Sequence, residues 1–113
     1  MLRDAKYLTE NEKKALAEIK RQVLSRYPGS SFVLFGSRAR GDFARYSDID
    51  VLVVTVDDLP WQDVDHIISV AYEVNLAYGT LFTCHTAARE AWENGDWTCQ
   101  PLKESVEKDG IPV

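Results

Sequence analysis

The chain has 113 residues, with 13 lysines and arginines against 18 aspartates and glutamates for a formal charge of −5, and is 45% apolar and 27% charged. These proportions describe one globular domain: a chain this long buries roughly 65% of its unfolded surface, enough for one modest core but not for a catalytic domain plus a separate substrate domain. With a pI near 4.9 it is no general nucleic-acid coat, although a local basic spot is not excluded.

From Thr9 to Arg26 the apolar residues Leu16, Ile19, Val23 and Tyr27 recur at helical spacing, and Thr9-Glu10-Asn11-Glu12 reads as a capping box opening that helix. Pro28-Gly29 closes it. Ser31–Phe35 is short, aromatic and β-branched between glycine punctuation, which predicts a buried strand. Residues 36–47, GSRARGDFARYS, are too polar and too short for more than a loop with one helical turn. Ile49–Val56 is the strongest β-forming stretch, and its near-continuous apolar run implies cover on both faces.

Asp57-Asp58 offers an N-cap and Pro60 a first turn, after which Val64, Ile68, Ala71, Asn75 and Tyr78 continue a helix that Gly79 stops. Residues 80–86 read as a third strand. Two short helices follow: one over 87–93, capped by Thr86 and ended by Asn94-Gly95, and one over 101–109, ended by Gly110. The whole is expected to be one domain, 1–113, of α/β (α+β) class with a small mixed sheet flanked by helices. No apolar run approaches the roughly 18 residues of a membrane span, and MLRDAKYLTENEKK is too charged for a secretory signal, so a cytoplasmic location is expected. Cys84 and Cys99, outside any C-x-x-C spacing, read as reduced thiols.

The chemistry lies in Gly36-Ser37-Arg38-Ala39-Arg40-Gly41 and in Ser47-Asp48-Ile49-Asp50-Val51-Leu52-Val53. Alternation along a strand points Asp48 and Asp50 the same way, with Cα atoms about 6.6 Å apart. Two adjacent carboxylates at the mouth of an apolar strand repel unless a cation joins them, and Mg²⁺ takes one or two carboxylates plus substrate phosphates. Gly36 lets a phosphate approach the backbone, and Ser37 can donate to its oxygens. If the turn ends one strand and the aspartates begin its neighbour, both reach one end of the sheet. A nucleoside triphosphate bound there with Mg²⁺ could be attacked at the α-phosphorus by an acceptor hydroxyl.

GSRARG followed by SDIDVLV resembles the signature of the polymerase-β-like nucleotidyltransferases, in particular the minimal nucleotidyltransferase (MNT) proteins. The resemblance covers roughly 80% of the chain by element order. It implies that Gly36 and Ser37 bind phosphates, that Asp48 and Asp50 hold Mg²⁺, and that Arg40 and Gly41 match the end of the turn. The family often carries a third carboxylate on the next strand; residues 81–85 contain no acid, and the pattern puts the missing residue at Thr83, or at Phe82 or Cys84 after a slip of one. Some minimal members resemble this chain in also lacking that acid, with a Trp, a Pro-Leu and an Asp-Gly like Trp92, Pro101-Leu102 and Asp109-Gly110. The implied activity is Mg²⁺-dependent transfer of AMP from ATP to a hydroxyl on a partner protein. The implied partner is a helical HEPN toxin, a toxic RNase encoded beside its MNT. The alternative is an antitoxin that keeps a nucleotide pocket and neutralises its partner by contact; a homo-oligomer is left open.

Blander readings stand beside these. Asp48 could cap a turn and Asp50 pair with an arginine such as Arg38; Gly36 and Gly41 could be turn glycines; Arg38, Arg40 and Arg45 could be surface charge, with Arg40 the best placed for phosphate. Ser47 reads as a cap orienting the aspartates. His66 is given no role, whereas His85, ending the third strand, could stand in for the absent base. Trp61, Trp92 and Trp97 read as core, or for Trp92 and Trp97 as a partner surface.

Overall fold

The computed structural model describes residues 2–42, 47–95 and 101–113. After a 3-10 turn at Leu2–Asp4 come α1 (Glu10–Arg26), β1 (Ser31–Phe35), α2 (Ser37–Arg40), β2 (Ile49–Thr55), α3 (Trp61–Tyr78), β3 (Phe82–Ala88), α4 (Arg89–Asn94), α5 (Pro101–Asp109) and β4 (Ile111–Pro112). The capping box forms as expected: the Thr9 hydroxyl accepts from the Glu12 amide at 3.1 Å, and the Glu12 carboxylate accepts from the Thr9 amide at 2.9 Å. The predicted boundaries of β1 and α5 coincide with the observed ones.

The strands form one mixed sheet in the order β3-β2-β1-β4. β1 runs antiparallel to β2 and β4, whereas β2 and β3 are parallel, which needs the crossover that α3 supplies. Alternate residues of β2 serve two cores. Ile49, Val51 and Val53 join Leu16, Ile19, Ile67, Val70, Val74, Phe82 and Cys84 under α1 and α3. Leu52 and Val54 face the other way, with Phe35, Val106, Trp92 and Leu102. The expected cover on both faces of β2 is therefore present.

Several predicted features move. α3 begins at Trp61 with Pro60 at its N-cap and no side-chain cap, so Asp57-Asp58 is not its N-cap. Its buried residues are Ile67, Val70, Ala71 and Val74, while Ile68 is 48% exposed; the predicted apolar face was rotated because the helix carries apolar residues on two sides. β3 starts two residues later than predicted. Gly79 in the left-handed region and Thr80 complete the helix end, their amides donating to the Asn75 carbonyl. The Asn75 side chain then fixes Phe82, accepting from its N–H and donating to its carbonyl, both at 2.8 Å. The strand consequently runs to Ala88, which, rather than Thr86, caps α4 at Arg89–Asn94. β4 was not foreseen, because two residues including a proline carry no strand pattern. Arg45, Trp97 and Cys99 lie outside the described residues. Trp61 is 73% exposed and not core; Trp92 is half-buried, with Lys103 Nζ 4.1 Å from its ring centre. Cys84 is buried and free.

Among the described residues, no helix is long and apolar enough to cross a membrane.

Candidate functional site

Antiparallel pairing sets Phe35, the last residue of β1, opposite Asp50, so the glycine-serine turn and the aspartate reach the same end of the sheet. Gly36 has φ +79, and a Cβ built on it would stand 2.9 Å from Asp50 Oδ2. Glycine is thus required twice, by its left-handed backbone and by the carboxylate beside it. The turn continues as the single helical turn α2, in which the Ala39 and Arg40 amides donate to the Gly36 carbonyl and the Gly41 amide to the Ser37 carbonyl. Ser37 is half-buried at its start.

Asp50 shares its sheet face with Leu52 and Val54, by alternation from Ile49. Its other oxygen, Oδ1, lies 3.3 Å from His85 Nε2, and the His85 ring packs 5.3 Å from that of Phe35. The blander alternative, Asp50 paired with Arg38, is not what forms: Asp50 meets His85 and Arg38 meets Glu12. Thr83 is the β3 residue in register with Asp50, and His85 follows two positions on, on the same face. The signal for His85 was the spacing of two from Thr83, usable only once the strand's start is fixed. Asp48 is exposed one residue before β2.

The two described arginines of the basic segment divide. Arg38, which could be read as surface charge, is buried; its guanidinium donates to the Glu12 carboxylate and, at 3.1 Å, to the Tyr7 carbonyl. It fastens α2 to the start of α1. Arg40 stays at the rim, donating through Nε to Asp42 at 3.0 and 3.1 Å and through Nη1 to Asp109 at 3.1 Å. The Asp42 hydrogen bond, then that to Asp109, raises its pKa further. His66 faces Tyr27 edge-on, ring centres 6.1 Å apart, away from these groups.

Among the described residues no three His, Cys, Asp or Glu side chains gather as a metal cluster. The donors still suit a hard divalent cation completed by phosphates: two carboxylates two positions apart, one with an oxygen turned to the open side of a glycine.

Residues 16–109 match the family described as "Nucleotidyltransferase domain". Over 82 residues, 71% of this chain and 77% of the relative, the chain is 37% identical to a Methanocaldococcus jannaschii protein named "Putative protein adenylyltransferase". Two solved toxin–antitoxin structures share the fold at TM-scores of 0.58. One, a mutant MntA–HpeT complex, is 20% identical and covers 94% of this chain and 72% of its own. The other, with AMP-PNP, is 18% identical and covers 92% and 72%. With a glycine-serine turn closed onto the aspartate of the next strand and a family match over most of its length, the chain belongs to the nucleotidyltransferase domain family, as a nucleotidyltransferase enzyme with the polymerase-β-like fold.

Proposed function

We propose that residues 1–113 form a single minimal nucleotidyltransferase domain that moves AMP from ATP to a hydroxyl of a partner protein in the cytoplasm. The partner in this reading is a helical HEPN toxin, and the chain is its antitoxin. The approach of Gly36 to Asp50 carries the reading, since the missing Cβ lets the carboxylate close against the glycine-serine turn, so that turn and carboxylate together would hold a metal-bound phosphate. The adenylyltransferase name of the Methanocaldococcus jannaschii relative and the toxin–antitoxin assemblies of the structural neighbours support it.

Gly36 leaves room for the phosphate chain, and Ser37 donates to its oxygens from the start of α2. Asp48 and Asp50 would hold Mg²⁺, which when bound neutralises the triphosphate and stabilises the attacking and leaving oxygens. His85, its ring packed against Phe35, would hold the Asp50 carboxylate in place. Arg40 sits at the rim, where it exchanges Asp42 for a phosphate oxygen. In the transfer, the acceptor oxygen bonds to the α-phosphorus as the bond to pyrophosphate breaks, and the hydroxyl proton is released.

A second reading, neutralisation by contact with a weakened nucleotide pocket, is favoured by one observation: the β3 residue beside Asp50 is Thr83, not an acid. Transfer of label from α-³²P-ATP to the product of the neighbouring gene separates the two. Label that appears with the native chain and vanishes with Asp48→Asn/Asp50→Asn supports transfer. A partner bound and silenced by both forms without label establishes the contact mechanism.

A further inference from the structure

The two edges of the sheet are built differently. β4 has two residues, one of them Pro112, and shortness and proline are how natural sheets prevent edge pairing. β3, the other edge, has seven residues, Phe82–Ala88, without proline and without a charged acid, lysine or arginine. The Leu81 carbonyl accepts from the Ile49 amide at 3.0 Å, so alternation turns the amides and carbonyls of Phe82, Cys84 and Thr86 toward the open side. Asn75 occupies those of Phe82. Among the described residues nothing pairs on that side with Cys84 and Thr86.

Alongside this edge runs the second apolar side of α3. Ile68, Tyr72 and Leu76 follow at intervals of four and are 48%, 61% and 66% exposed. Between them and β3 lies a groove of about 310 Å³, floored by Phe82 and Cys84. An exposed helix stripe beside an unblunted strand edge is a liability for a free monomer.

We propose that a second copy of this chain covers this surface, its β3 pairing antiparallel with the first so that Cys84 of each copy faces Thr86 of the other. A two-fold axis normal to the sheet at His85 maps the strand edge onto itself. The same axis lays the two α3 helices side by side on one face of the joined sheet, stripe against stripe. Edge and stripe are thus satisfied by a single operation, which favours a copy over an unrelated partner. Asp65, the acid on the stripe's side, lies two turns before Tyr72, so antiparallel helices keep it apart from its own copy.

Sedimentation of the intact chain should give twice the 12.8 kDa chain mass. The variant Tyr72→Lys/Leu76→Lys, on exposed positions, should keep its circular dichroism and thermal transition yet sediment at the single-chain mass. In hydrogen exchange, the Cys84 and Thr86 amides should be protected in the native dimer and exchange rapidly in that variant. A native chain at single-chain mass overturns the proposal. So does a dimer that survives the substitutions with these two amides still exchanging fast, and so does protection that arises only when the toxin partner is added.

Discussion

Arg40 and Asp109, 69 residues apart in the chain, meet at 3.1 Å and tie the end of the glycine-serine turn to the end of α5. Because Arg40 also grips Asp42, its guanidinium is held across the mouth of the turn rather than free in solvent.

Replacing Asp109 by Asn should therefore cost little stability, about 1 kcal/mol or less, since the Arg40 side chain is 39% exposed and its ion pair is screened. Arg40→Ala should in addition weaken ATP binding roughly tenfold, equivalent to about 1.4 kcal/mol. Calorimetric titration of both variants with ATP checks this; equal affinities would make Arg40 a strut only.

Gly36→Ala places a methyl against Asp50 Oδ2 and forces an L-residue to φ +79. The strain is of order 1–3 kcal/mol, so the melting temperature should fall while the fold persists. ATP binding should be lost. A variant that melts lower and binds ATP normally would remove the phosphate role from this turn.

Glu12 serves both the cap of α1 and the buried guanidinium of Arg38. Glu12→Ala removes the carboxylate from a buried ion pair and should cost roughly 3 kcal/mol. Thr9→Ala, which removes only the cap, should cost about 1 kcal/mol. Urea denaturation of the two variants tests this ranking.

Burial pushes the Cys84 thiol up to about 12. The unfolded thiol titrates near 8.5, so above that pH the unfolded chain releases a proton that the folded chain retains, and stability falls until the pH reaches about 12. At pH 10 the loss should be about 2 kcal/mol. It should be absent from Cys84→Ala. Tyr27 is also raised, by burial and by its hydrogen bond to Asp63, and whatever it contributes persists in Cys84→Ala. In a Cys99→Ser background, a thiol reagent at pH 8 should label Cys84 only on unfolding.

His85→Ala should lower kcat for transfer with little change in the KM for ATP, because the side chain holds Asp50 rather than the nucleotide. His85→Gln should restore part of the rate. An unchanged rate in His85→Ala would leave the ring as packing against Phe35 alone.

Where local punctuation decides an element, the sequence was readable: Thr9 and Glu12 set the start of α1, and glycines bound β1 and the end of α5. The meeting of Gly36 with Asp50 was also legible, because a strand ending in a turn and a strand opening with an acid can share one end of a sheet. What stayed hidden depends on tertiary contact. Ile67 and Ile68 are equally apolar, and only packing against β3 decides which is buried. Arg38 reads as a surface cation until Glu12, 26 residues earlier, is seen beside it. The late start of β3 rests on one amide, that of Asn75, whose grip on Phe82 no propensity scale contains.

The return of β4 to β1 sets an order of assembly. Leu34 pairs with Ile111, 77 positions on (111 − 34), whereas Phe35 pairs with Asp50 only 15 away (50 − 35). Closing the longer loop costs about 1.4 kcal/mol more in chain entropy by logarithmic scaling, and a two-residue strand returns few hydrogen bonds for it. The inner strands therefore form without waiting for the end of the chain. β4 is expected to seat last and to open before the inner strands, and as it leaves, Asp109, two residues before it, should loosen its hold on the turn.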